Sequence, residues 1–134
     1  MIFLDTNVLA YACLNQDEEK HQRAARIVAD AFKEPLFTLS TQVLFELSAV
    51  LFRKSGQSAG EIRNLVRLFS TLPIVNQTAE TVSRAVELTG IYNLSIFDAG
   101  IIAAAESAGC DQIWSEDFNE GQEYCGIRLV NPFA

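Results

Sequence analysis

MIFLDTNVLAY, residues 1–11, runs four apolar residues straight into Asp5, with Thr6, Asn7 and a second apolar stretch behind it. An N-terminus is ordinarily frayed and polar unless something ties it down. Ile2, Phe3 and Leu4 therefore read as a strand buried on both faces. Asp5 then stands where that strand stops. In open parallel sheets, ligands bind at the carboxyl ends of strands.

Outward from this strand the chain alternates strand and helix. Residues 7–14 read as a short helix and 18–33 as a longer one stopped by Pro35. A strand at 36–39 follows, then a helix at 42–54 capped by Ser40 or Thr41 and ended at Ser55-Gly56. Ser58 to Glu61 forms a capping box for a helix at 59–70. A strand at 72–75 precedes a helix at 79–89 with Gly90 at its end. Ser95 to Asp98 opens a helix to Ala108, ended by Gly109. A strand at 112–115, a polar loop from Glu116 to Gly126 and a strand at 127–130 complete the chain. This order predicts an α/β fold in three layers: a mostly parallel central sheet of four or five short strands, with helices on both faces.

At 134 residues and 49% apolar composition, one domain spanning 1–134 with one core is expected. No run approaches the roughly 18–20 apolar residues of a membrane span. The start lacks the basic flank of a signal peptide, so a cytoplasmic protein is expected. Cys13, Cys110 and Cys125 are odd in number and lack metal-type spacing. His21 is the only histidine, which excludes two-histidine ribonuclease chemistry and His-rich zinc sites. The net charge of −7 argues at first against a nucleic-acid partner, but residues 1–84 balance nine bases against nine acids. The excess lies in residues 85–134, with eight acids and only Arg128. The bases cluster as Lys20, Arg23 and Arg26, and as Arg53, Lys54, Arg63 and Arg67, so an acidic centre beside basic arms is open.

Four carboxylates carry the functional question, and each has a plainer role. Asp5 could cap the helix after it, although Thr6 or Asn7 could do so equally. Glu46 lies in the most apolar helix, on a stripe with Gln42, Ala49 and Arg53 that faces either a cleft or open solvent. Asp98 could bond back to the Ser95 amide in S-x-x-D, yet its helix continues as Ile101, Ile102 and three alanines, apolar all round, so its N-terminal end must open onto something polar. Asp117 could make an Asx-type turn, with Glu116, Asn119 and Glu120 as neighbours. Taken together, the topology lets two strand ends and two helix positions meet. Carboxylates so gathered repel, and a hard divalent cation removes that cost. Oxygen-only ligands select Mg2+ or Mn2+, and such a site activates water against a phosphoryl group without histidine.

DTNVLAY at the start, FELSAVL near 45, LSIFDAGIIAAA near 98, and IWSEDFNEG followed by GIRLVNPFA closely resemble PIN-domain proteins, the VapC-type toxins of bacterial toxin–antitoxin pairs in particular. The resemblance covers nearly the whole chain. It implies a Mg2+-dependent ribonuclease, with Mn2+ as a substitute, leaving 5′-phosphate and 3′-hydroxyl ends. Asp5, Glu46, Asp98 and Asp117 match the four acidic positions, and Thr6, Asn7 and Ser115 match supporting ones. At the fourth position the family varies, and Glu116 stands beside Asp117 as the alternative. The resemblance also implies a homodimer and a cognate antitoxin that occludes the acidic cleft with an Arg or Lys. The helices at 42–54 and 59–70 could supply a groove for an antitoxin helix. Arg53, Lys54, Arg63 and Arg67 are candidates for steering RNA phosphates. Other readings are a non-catalytic PIN-like binding module, a DNA nuclease, and a phosphoacceptor domain. The last would need paired acids after the first strand and a late Lys, and no Lys occurs after Lys54.

Overall fold

A computed structural model describes all residues, Met1–Ala134. Its elements are β1 (Ile2–Leu4), α1 (Thr6–Cys13), α2 (Glu18–Lys33), β2 (Phe37–Ser40), α3 (Thr41–Lys54), α4 (Ala59–Phe69), β3 (Ile74–Val75), α5 (Ala79–Tyr92), α6 (Ile96–Ser107), β4 (Gln112–Trp114), β5 (Glu123–Tyr124) and β6 (Ile127–Val130). Phe3 and Leu4 are adjacent in an extended strand, so they point to opposite faces, and both are fully buried. Helices therefore cover both sides of β1, as the three-layer reading requires. α1 packs on α2 and α3, α3 on α4, and α5 on α6. One core of 26 buried residues joins them. No single helix is long and apolar enough to cross a membrane.

The sheet has six strands in the order β3-β2-β1-β4-β6-β5, all parallel except β5. The sheet thus has one strand more than the upper end of the expected four or five. β5 lies inside the segment read as a polar loop, and it returns onto β6 through Cys125 and Gly126, whose φ angles are +53° and +77°. Two successive positive φ values mark a hairpin turn of the primed type, usually announced by Asn-Gly or Asp-Gly rather than Cys-Gly. Buried Tyr124 anchors the hairpin edge-to-face against Tyr92, whose hydroxyl accepts the Cys125 amide at 2.8 Å. That anchorage also explains why α5 runs through Gly90 to Tyr92. The left-handed turn falls at Asn93 (φ +56°), a residue that tolerates it.

The strand order decides where a site can lie. From β1 the chain steps to β2 and β3 on one side, then crosses to β4 on the other side of β1. The carboxyl ends of β1 and β4 therefore flank the topological switch point, where the two halves of the sheet part and leave a crevice. Asp5 follows β1, and Ser115 to Asp117 follow β4.

α6 closes the crevice from one side. Ala99 to Ala105 are all buried, and the turn before them, Ile96 to Asp98, reaches the surface at the crevice side. Gly100 permits a close approach there: a Cβ would lie 2.5 Å from Gln42 Oε1. Gln42 is not free to yield, because its Nε2 donates to Phe97 O at 2.8 Å and its Oε1 accepts from Gln77 at 2.9 Å. Gly100→Ala is therefore expected to lower stability by about 1–2 kcal/mol, despite the ~1 kcal/mol that Ala ordinarily gains over Gly in a helix. Urea unfolding measures it, and a net gain would show that the amide pair moves without cost.

Candidate active site

Asp5 performs the plain role and a second one together. As N-cap of α1 it accepts the Thr6 amide on Oδ1 at 2.7 Å. Its other oxygen accepts the Ser115 hydroxyl at 2.7 Å, across 110 residues of chain. The residue is only 6% exposed. Burial pushes its carboxyl up to about 7; the Ser115 and Thr6 hydrogen bonds oppose the rise, and the charges of Glu46 and Asp117 add to it.

Ser115 is the hub. Its buried Oγ donates to Asp5 and accepts from Asn7 Nδ2 at 3.2 Å and from the Asp117 amide at 3.1 Å. Asn7 Nδ2 also reaches Asp117 Oδ2 at 3.0 Å. The strand ends thus tie Asp5, Asn7, Ser115 and Asp117 into one network. Asn7 Oδ1 is buried in this network and has no hydrogen-bond partner, which is uncommon for a buried amide oxygen.

The two readings of Glu46 are separated by Thr6, whose hydroxyl donates to Glu46 Oε1 at 3.0 Å. The stripe on α3 faces the crevice at Glu46, which is half-buried. Burial raises its carboxyl, the Thr6 hydroxyl opposes that, and Asp98 and Asp117 are close enough to raise it further. Asp98 sits in the first turn of α6, where Ser95 Oγ accepts its amide at 3.2 Å. The return bond from the Ser95 amide is not formed. The Asp98 carboxylate has no hydrogen-bond partner in the protein and shares the crevice with Glu46.

Asp117 is exposed and faces Asn7, whereas Glu116 turns away to Lys20 and Tyr11. His21 is also engaged elsewhere, its Nδ1 lying 2.8 Å from Tyr11 O. Arg53, Lys54, Arg63 and Arg67 are exposed on α3 and α4 and form no ion pair.

The carboxylates rim the crevice without closing on one another: no three acidic, His or Cys side chains form a compact ligand set. Mg2+ keeps several waters and takes one or two carboxylates directly, so an open rim suits it better than a closed cage. The donors are all oxygens, Asn7 Oδ1 awaits a partner, and Asp5 carries a charge its surroundings disfavour. The residues present fit a hard divalent cation.

The sequence of residues 2–119 matches the family model of the PIN domain. The chain belongs to the PIN-domain family. This PIN domain is similar to the VapC20 toxin of Mycobacterium tuberculosis, described as cleaving the sarcin–ricin loop, with 26% identity and a TM-score of 0.72 over 87% of this chain and 92% of that one. It shares its fold with a toxin–antitoxin complex from Klebsiella pneumoniae (20% identity, TM-score 0.70, 98% of each chain). It shares it also with VapBC2 of Rickettsia felis, solved on a promoter DNA fragment (19% identity, TM-score 0.67, 98% of each chain). No curated protein sequence matches.

Proposed function

We propose that this PIN domain is a divalent-cation-dependent endoribonuclease acting as the toxin of a toxin–antitoxin pair. The observation that carries the proposal is Asp5, a carboxylate buried at the sheet's switch point and bonded through Ser115 to the strand end that bears Asp117. The likeness to VapC20, an RNA-cleaving toxin by its description, supports RNA as the substrate.

Asp5 and Asp98 would be the principal holders of Mg2+ or Mn2+, with Glu46 and Asp117 completing the rim or orienting the attacking water. When bound, the cation supplies water activation and neutralises charge on the phosphate. The chain's own part is positional. Ser115 and the Thr6 amide fix both oxygens of Asp5, Thr6 holds Glu46 by its hydroxyl, and Asn7 holds Asp117. Hydrolysis adds water across one phosphodiester bond, leaving a 5′-phosphate and a 3′-hydroxyl. Unpaired RNA in the cytoplasm fits a crevice this open, since splayed bases can be read by their edges.

An acidic crevice is a natural receptor for an Arg or Lys of an antitoxin. Phe45 and Phe97, 80% and 68% exposed, line one apolar groove with Val82 and Ile96, a surface that a homodimer would bury.

RNA and DNA of matched sequence, incubated with Mg2+, Mn2+ or chelator, test the reading. Cation-dependent cleavage of RNA alone is expected, with an antitoxin peptide bearing Arg inhibiting it. Cleavage that persists in chelator, or DNA cleaved equally well, overturns it.

A further inference from the structure

Glu116 is the nearest acid to Asp117 in sequence, yet it takes no part in the network around Asp5. Tyr11, near the end of α1, donates its hydroxyl to Glu116 Oε1. Lys20, in the first turn of α2, places Nζ 2.9 Å from Glu116 Oε2, 3.4 Å from the Tyr11 hydroxyl and 5.0 Å from the centre of the Tyr11 ring. Both oxygens of Glu116 are thus occupied, by groups 105 and 96 residues away. The Lys20 and Glu116 side chains are 33% and 21% exposed, so solvent screens the pair only partly. The Tyr11 ring is itself fixed edge-to-face against Phe133 at 5.0 Å. His21, one residue after Lys20, braces the Tyr11 carbonyl.

We propose that Lys20 and Tyr11 are positioning residues: by clamping Glu116 they fix the turn after β4, so that Asp117 meets Asn7 and Ser115 in the crevice. This rests on the nuclease reading for its effect on cleavage, though not for its effect on the turn. The clamp does two things. It fixes the backbone at 116, and the Asp117 amide next to it donates to Ser115, the residue that also orients Asp5. It also pairs the charge of Glu116 with a cation outside the crevice, so the rim carries the charge of Asp117 without that of its neighbour. A loop rich in acids (Glu116, Asp117, Glu120, Glu123) has no other basic partner.

Lys20→Met, Lys20→Arg and Glu116→Gln test it in the full chain, with two readouts. Amide hydrogen exchange reads the turn itself: Lys20→Met is expected to abolish protection of the Asp117 amide while α6 and β1 amides keep theirs, and Lys20→Arg to restore it. RNA cleavage with Mn2+ reads the consequence. Loss of a group that orients a metal-site residue typically costs 10–100-fold, so kcat should fall about 10-fold or more in Lys20→Met with KM little changed, and recover in Lys20→Arg. Unchanged Asp117 protection in Lys20→Met overturns the clamp, as does a fall in kcat that Lys20→Arg fails to rescue. If the wild-type chain cleaves no RNA at all, the nuclease reading fails, and the exchange data alone decide the clamp.

Discussion

Asp5→Asn is expected to make the protein more stable at pH 8 and less stable at pH 4, while sharply reducing cleavage at both. The Asp5 carboxyl titrates near 3.8 when exposed and at about 7 in the fold, chiefly because it is buried. The folded state therefore holds the proton more tightly than the unfolded one. Its contribution to stability is complete below about pH 4 and is lost as pH rises through 7, about 4 kcal/mol in all at ~1.4 kcal/mol per pKa unit. Asn carries no charge and escapes this loss. It also forfeits a hydrogen bond. Ser115 Oγ already accepts from Asn7 and Asp117, so it can only donate to residue 5, and an Asn amide cannot accept on both sides. That costs about 1–2 kcal/mol. The curves for wild type and variant should cross near pH 5, with the variant ahead by roughly 2–3 kcal/mol at pH 8. Urea unfolding in chelator measures this, and parallel pH profiles would show that Asp5 is not a buried charge. Cleavage should fall on the order of 10²–10³-fold, as for other groups that stabilise charge in a reaction. On the nuclease reading, Asp5 is a group held at the expense of the fold's stability.

Asp98→Asn separates the two effects. Its carboxylate is half-buried and has no hydrogen-bond partner in the protein. Folding loses only the favourable placement of a negative charge in the first turn of α6, ~0.3–1 kcal/mol. Yet Asp98 lies at the N-terminal end of the most buried helix, beside Glu46, where it would supply the proposed cation with a ligand from that side. The expected result is cleavage reduced on the order of 10²–10³-fold with the unfolding midpoint almost unmoved. Cleavage retained in Asp98→Asn but lost in Asp5→Asn would remove Asp98 from the site; cleavage retained in both would mark a contaminating nuclease.

Much of this was legible in the sequence because it is local. The buried first strand, the helix at 18–33, the capping box at Ser58 and the apolar helix behind Asp98 are each announced by a few neighbouring residues, and the structure has them within a residue or two. β5 was not, because two residues carry too little periodicity and Cys-Gly is a poor herald of a hairpin. Gly90 misled, since a glycine inside a helix reads as its end, and only the packing of Tyr92 carries α5 onward. At the site, the kinds of residue were readable but their pairings were not. Nothing near Glu46 says that a hydroxyl 40 residues earlier selects its cleft-facing role, and nothing near Glu116 points to Lys20.

Titration of the RNA-free protein with Mn2+ by calorimetry, in buffers of differing ionisation enthalpy, tests most directly whether these carboxylates form one cation site. With burial holding the Asp5 carboxyl up at about 7, binding should release a fraction of a proton per cation at pH 7 and less at pH 9. Asp5→Asn and Asp98→Asn should each abolish the binding. Mn2+ that binds both variants as it binds the wild type, with no proton released at pH 7, would contradict the account.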